Sequence, residues 1–146
     1  MLINSSPVIY IFGPIDSCPL PGDISTDWDE RLISSIVSGL NEGKYPATVF
    51  NPKRAFSTVY PGQEVVTVNE FVVDTASVLA GLWIPESVGV NREIERAVLR
   101  GIPVMAVRCF ITCASPYYWD RRVRGFSDMA LLADAVIDYI HKIHNM

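Results

Sequence analysis

Glu93 is the residue whose setting in the chain best suits chemistry. Residues 80–107 read AGLWIPESVGVNREIERAVLRGIPVMAV: an apolar run ending at Ile84-Pro85, a turn through Glu86-Ser87-Val88-Gly89, a segment at helical spacing over 91–100 that carries Glu93, and a second apolar run from Pro103. That order predicts strand, turn, helix and strand. In an open parallel sheet, ligands bind beyond the carboxyl ends of the strands, where helix N-termini present unpaired N–H groups. A helix opening at Asn91 puts Glu93 in its first turn, where the partial positive charge favours the anion. An ionised carboxylate suits a nucleophile better than an acid. On spacing alone, however, Arg92, Glu93, Glu95 and Arg96 read first as a solvated charged face.

Tyr10 and Gly13 share the first apolar run, VIYIFG. Tyr10 reads either as a core aromatic or as a site residue, and in both cases a buried phenol hydroxyl needs a partner. Gly13 either ends the strand in an ordinary turn or lets a ligand approach the backbone closely. His141 and His144 share a helix face without further ligands, so no zinc site is expected. Cys109 and Cys113 lack the spacing of a metal knuckle and read as small buried hydrophobes.

The elements that must position these residues follow from periodicity. Residues 8–13 are a buried first strand, and residues 47–51 a second that Pro52 ends. Between them Trp28, Leu32, Ile36, Val37 and Leu40 recur at helical spacing, with Ser25 or Thr26 as cap and Gly43 as stop. Residues 53–61 read as loop. Residues 63–74 are rich in β-branched side chains, yet Val65, Val68 and Val72 fit a helix face, and a parallel arrangement needs a crossover there. Residues 78–84 and 103–108 are the third and fourth strands, 110–125 a loop with the aromatic cluster Pro116-Tyr117-Tyr118-Trp119, and the pattern from Ser127 to Ile143 a closing helix. The order βαβαβαβα with right-handed crossovers predicts an α/β protein: a three-layer flavodoxin-like or Rossmann-like fold with a mostly parallel sheet.

Length and composition narrow the class further. A chain of 146 residues, 49% apolar with positive mean hydropathy, fits one domain over 1–146 with a full core. It contains no apolar run long enough to span a bilayer and no recognisable leader, so a soluble cytoplasmic protein without membrane contact is expected. Three cysteines at unpatterned spacing argue against a disulfide framework. A net charge of −4 argues against a nucleic-acid surface, which normally needs a basic stripe.

The segment from Pro85 to Ala97, followed by Gly101-Ile102-Pro103-Val104, resembles the nucleoside 2-deoxyribosyltransferase superfamily, which includes the transferases and the nucleoside 5′-monophosphate N-glycoside hydrolases. Its signature is a Gly-rich turn, a Glu four residues before an Ala, and then a Gly-Lys-Pro-Val-like stretch. The resemblance implies a homodimer, or a higher homo-oligomer, that cleaves the N-glycosidic bond of a nucleoside or its 5′-monophosphate. Glu93 would be the nucleophile and Tyr10 its hydrogen-bond partner. Such cleavage passes through an oxocarbenium-like transition state that a carboxylate stabilises and then traps as a glycosyl ester. Transfer to another base or to water completes the cycle, and neither metal nor organic cofactor is implied. The alternatives are a nucleoside 5′-monophosphate N-glycosidase that strictly uses water, and a nucleotide-binding module that keeps the pocket without catalysis.

The same resemblance assigns the remaining candidates. Gly13, Asp16, Ser87, Gly89 and Asp120 would line the substrate site. Ser87 falls where the hydrolases hold the 5′-phosphate and the transferases carry an aspartate; its plainer role is a helix cap. Asp16 falls where the hydrolases often carry arginine, so these two markers of branch disagree. Asn69 falls where the transferases have an aspartate that assists the leaving base; an amide can hydrogen-bond a base but cannot protonate it. Glu70 and Asp74 are neighbouring substitutes that also read as solvated helix residues. Asp120, in a segment that the resemblance sends into a neighbouring subunit's site, is followed by Arg121, Arg122 and Arg124, which suit either phosphate binding or a soluble surface.

Overall fold

The computed structural model describes residues 6–14, 24–55, 63–85, 87–108 and 122–145. Along the chain these form β1 (Val8–Phe12), α1 (Trp28–Gly43), β2 (Thr48–Phe50), α2 (Pro52–Ala55), α3 (Gln63–Thr75), β3 (Val78–Trp83), α4 (Val88–Leu99), β4 (Val104–Arg108), β5 (Val123–Phe126) and α5 (Met129–His144). The strands make one parallel sheet in the order β2-β1-β3-β4-β5. This is the flavodoxin-like order, and its switch point lies between β1 and β3.

Alternation along the strands divides the core in two. Ile9, Ile11, Val78, Ala80, Leu82, Met105 and Val107 face α1 and α5, where Trp28, Leu32, Ile36, Leu132, Val136 and Ile140 meet them. Tyr10, Phe12, Leu79, Trp83, Val104 and Ala106 face the other way, against Val73 of α3 and Val90, Ile94 and Ala97 of α4. The central strands are buried on both faces, which is why they read as continuous apolar runs. Three layers result, as the periodicity predicts.

Three local expectations are corrected. The loop expected over 110–125 ends in β5, an edge strand of sequence VRGF whose single buried residue is Val123; two apolar residues separated by Arg124 and Gly125 are too few to show strand alternation. The loop expected over 53–61 begins with the short helix α2. Neither Ser25 nor Thr26 caps α1: Asp27 occupies the cap position without a side-chain capping bond, and its carboxylate instead accepts from Ser25 Oγ and Arg31 Nε. No helix of the described residues is long and apolar enough to cross a membrane.

Candidate active site

Tyr10 and Glu93 meet on the α3–α4 side of the sheet. Tyr10 is fully buried on β1, with its ring stacked on Phe50 of β2 at 5.6 Å, and its hydroxyl donates to Glu93 Oε2. The phenol thus finds the partner that burial demands. Helix α4 supplies Glu93 because Ile94, Ala97 and Val90 seat it on the sheet.

The protonation of Glu93 differs from the sequence expectation. Ser87 caps α4, its Oγ accepting from Val90 N–H at 3.4 Å, so the helix starts at Val88 and its first turn contains no acidic residue. Glu93 therefore lies in the second turn, beyond the strongest influence of the helix terminus. Burial pushes its carboxyl up from 4.5 to about 7, against the opposing effect of the Tyr10 hydrogen bond. Tyr10 is held well above its ordinary value, first by burial and then by the Glu93 charge and hydrogen bond. The phenol remains a donor while the carboxyl titrates near neutrality.

Asn69 lies on the buried face of α3, one and two turns before Val73 and Ala76. It is 8% exposed, and its Oδ1 has no partner among the described residues. A buried acceptor left without a partner costs about 1–3 kcal/mol, so a ligand N–H there would relieve a standing penalty. Its neighbours Glu70 and Asp74 are both engaged by arginines. Arg96 grips Asp74 with two bonds of 2.7 and 2.8 Å, Arg100 adds a third contact at 2.8 Å, and Glu70 pairs with Arg92 and Arg96 at 3.3 Å. The Arg96 guanidinium, ahead of the Arg100 charge, holds Asp74 below the usual carboxylate range. These acids tie α3 to the arginines of α4 and its C-terminal cap.

Gly13 has a packing reason of its own: a Cβ there would lie 2.2 Å from the Trp28 ring. On that side Trp28, not a ligand, takes the space that the glycine leaves. Gly89 is exposed in the first turn of α4, and a Cβ would meet nothing within 4 Å. Asp16 and Asp120 lie outside the described residues. No group of acidic, histidine or cysteine side chains able to hold a metal occurs among the described residues.

Sequence reasoning passed over three residues linked to the start of α4. Trp83, at the end of β3, donates its indole N–H to Asn91 Oδ1 at 2.8 Å, and Asn91 Nδ2 donates to the Pro85 carbonyl at 2.9 Å. Arg108, ending β4, places its guanidinium 5.8 Å from the Trp83 ring centre. Only Asn91 carried a signal, through its place in the motif; the others are joined to it by the sheet.

Fold and site together define a class: a doubly wound parallel α/β protein in which a half-buried carboxyl meets a buried phenol on a strand that borders the switch point of the sheet. Solved structures with a similar fold include a 2-deoxyribosyltransferase from Bacillus psychrosaccharolyticus, with TM-score 0.58 and 17% identity over 90% of this chain and 91% of that one. A CMP N-glycosidase from Clostridium botulinum gives TM-score 0.52 and 12% identity over 95% and 99%. A TIR domain from the RPS4 and RRS1 heterodimer gives 0.51 and 7% over 97% and 100%. At these identities the likeness is one of fold. No protein-family model matches the sequence, and no curated protein matches it.

Proposed function

We propose that this chain cleaves the N-glycosidic bond of a nucleoside or nucleoside 5′-monophosphate, with Glu93 as nucleophile. The hydrogen bond between Tyr10 and Glu93 carries the reading, because it joins the two residues that the sequence resemblance pairs in one role. Two of the fold neighbours, by name a 2-deoxyribosyltransferase and a CMP N-glycosidase, act on such bonds. The TIR domain shows why fold alone does not carry the argument.

In the ionised state a Glu93 oxygen forms a bond to the anomeric carbon as the bond from that carbon to the base nitrogen breaks. The electron pair leaves with the base, which takes a proton from solvent. Tyr10 orients the carboxylate from below and is not consumed. Asn69 offers the base a hydrogen bond but no proton. Water or a second base then attacks the same carbon, releasing Glu93 as carboxylate. Ser87, at the N-terminus of α4, is the candidate contact for the sugar's 5′ substituent, and Gly89 leaves open space beside it. Gly13, Asp16 and, from a second subunit, Asp120 complete the proposed substrate contacts. A homodimeric, cytoplasmic enzyme of nucleotide salvage formed of one domain over 1–146 is the setting proposed.

Chromatographic detection of free base tests this. Nucleosides and 5′-monophosphates of both sugars are incubated with wild type and Glu93→Ala, with and without a second base. Release from monophosphates alone, lost in the variant, identifies a hydrolase of nucleotides; exchange that needs the second base identifies a transferase. Release from none of them would sink the proposal and leave a nucleotide-binding module.

A further inference from the structure

Glu93 can act only if α4 presents it to Tyr10, and the start of α4 is fastened to the end of β3 by one side chain. Asn91 lies two residues before Glu93 on the same helix. Its Oδ1 accepts from Trp83 Nε1 at 2.8 Å and its Nδ2 donates to Pro85 O at 2.9 Å. An indole N–H only donates and a carbonyl only accepts, so both ends of the amide are committed and its orientation is fixed. Two backbone hydrogen bonds reinforce the junction: Ser87 N–H donates to Ile84 O at 3.0 Å, and Asn91 N–H donates to Ser87 O at 3.2 Å.

The clamp continues across the sheet. Trp83 is buried on the Glu93 side, and the Arg108 guanidinium lies within cation–π range of its ring. Arg108 Nη2 donates to Val123 O at 2.8 Å, and Gly125 leaves room for the same guanidinium, since a Cβ there would fall 2.1 Å from Nη1. One chain of contacts thus runs from β5 through β4 and β3 to the turn before Glu93.

We propose that Asn91 is a positioning residue: by pinning the first turn of α4 to Trp83 and Pro85, it sets Glu93 at the height on the sheet where its carboxyl meets Tyr10. The inference rests on the N-glycosidic reading for its catalytic consequence, though not for its structural one. The neutral Tyr10 phenol faces Glu93 from β1, and on α3, which packs against α4, Glu70 and Asp74 are engaged by Arg92, Arg96 and Arg100.

The test uses Asn91→Ala, Asn91→Asp, Trp83→Phe and the double variant Asn91→Ala/Trp83→Phe. Asn91→Asp keeps the acceptor for Trp83 and loses the donor to Pro85, and Trp83→Phe keeps the ring beneath Arg108. These milder changes keep the test alive if Asn91→Ala does not fold. With the substrate that wild type turns over fastest, each single variant is expected to lower kcat by roughly ten- to a hundred-fold with little change in KM, the scale expected of a misplaced reacting group. The double variant should be no slower than Asn91→Ala alone, because the bond that Trp83→Phe removes is already lost there. In ligand-free protein, the Glu93 side-chain titration followed by carbon NMR should leave its wild-type midpoint and approach that of an ordinary glutamate. Unchanged kcat in Asn91→Ala, multiplying losses in the double variant, or an unmoved Glu93 titration would each overturn the assignment. If wild type releases no base from any substrate, the enzymatic reading fails, and the Glu93 titration alone decides the positioning role.

Discussion

The Tyr10 hydroxyl donates to a carboxylate oxygen of Glu93, a residue 83 positions further along the chain. Burial raises the carboxyl to about 7, and the phenol holds its proton throughout the range in which Glu93 titrates. The proposed role of Glu93 as nucleophile requires it to be ionised, so kcat/KM is expected to rise with pH along an acid limb centred near 7. Initial rates measured from pH 5 to 9 check this; a limb centred near 4.5 would show that Glu93 is solvated in the working enzyme.

Tyr10→Phe removes the one contact that lowers the Glu93 value. The acid limb should move to higher pH, and activity at pH 7 should fall roughly ten-fold as the carboxylate loses a charge-assisted hydrogen bond. Comparing the variant with wild type at pH 7 and pH 9 separates the two effects. A loss equal at both values would mean that orientation, not ionisation, is what Tyr10 supplies.

Stability should show the opposite pH dependence. A carboxyl whose folded value exceeds its unfolded value binds more protons when folded, so stability falls as pH rises between the unfolded value of 4.5 and the folded value of about 7. Below that window the penalty is absent and above it complete, on the order of 3 kcal/mol at most. Glu93→Gln is neutral and keeps an acceptor for Tyr10. It should therefore exceed wild type in denaturant midpoint at pH 8 and match it at pH 4.

Ser87 serves α4 as a cap whether or not it touches phosphate, and two variants tell the roles apart. Ser87→Ala should cost about 1 kcal/mol through loss of the cap. Ser87→Asp keeps the cap but sets a negative charge beside any 5′-phosphate. Turnover of monophosphates should then collapse relative to nucleosides, and an unchanged ratio would remove Ser87 from the phosphate site.

Gly13→Ala should destabilise the protein by about 1–3 kcal/mol, as overpacking does, because the new methyl meets the buried Trp28 ring at 2.2 Å. Combining it with Trp28→Leu should recover part of the loss beyond additivity. Denaturant unfolding of the single and double variants measures it. Additive losses would mean that Gly13 is needed for something other than room for Trp28.

Local pattern alone made the three-layer sheet legible. Apolar runs at 8–13 and 78–84, helical spacing from Trp28 to Leu40, and the crossover demanded before residue 78 each recur in the structure. The motif also pointed to Glu93, and the wider resemblance to Tyr10 as its hydrogen-bond partner. What it misplaced was local as well: taking Asn91 as the helix start, rather than Val88, put Glu93 one turn too near the N-terminus and made it an ordinary anion.

The tertiary structure alone decided the rest. That Tyr10 bonds Glu93, that Asp74 and Glu70 are held by arginines of α4, and that Asn69 keeps an unmet acceptor all depend on how α3 and α4 lie across β1. Proton affinity follows desolvation and neighbouring charge, which are set by side chains remote in sequence. For the same reason β5 left no trace: VRGF is a strand because β4 offers it hydrogen bonds and Arg108 fills the space over Gly125, and neither fact is written in those four residues. Sequence determined which groups could react here; packing decided their partners and their charge.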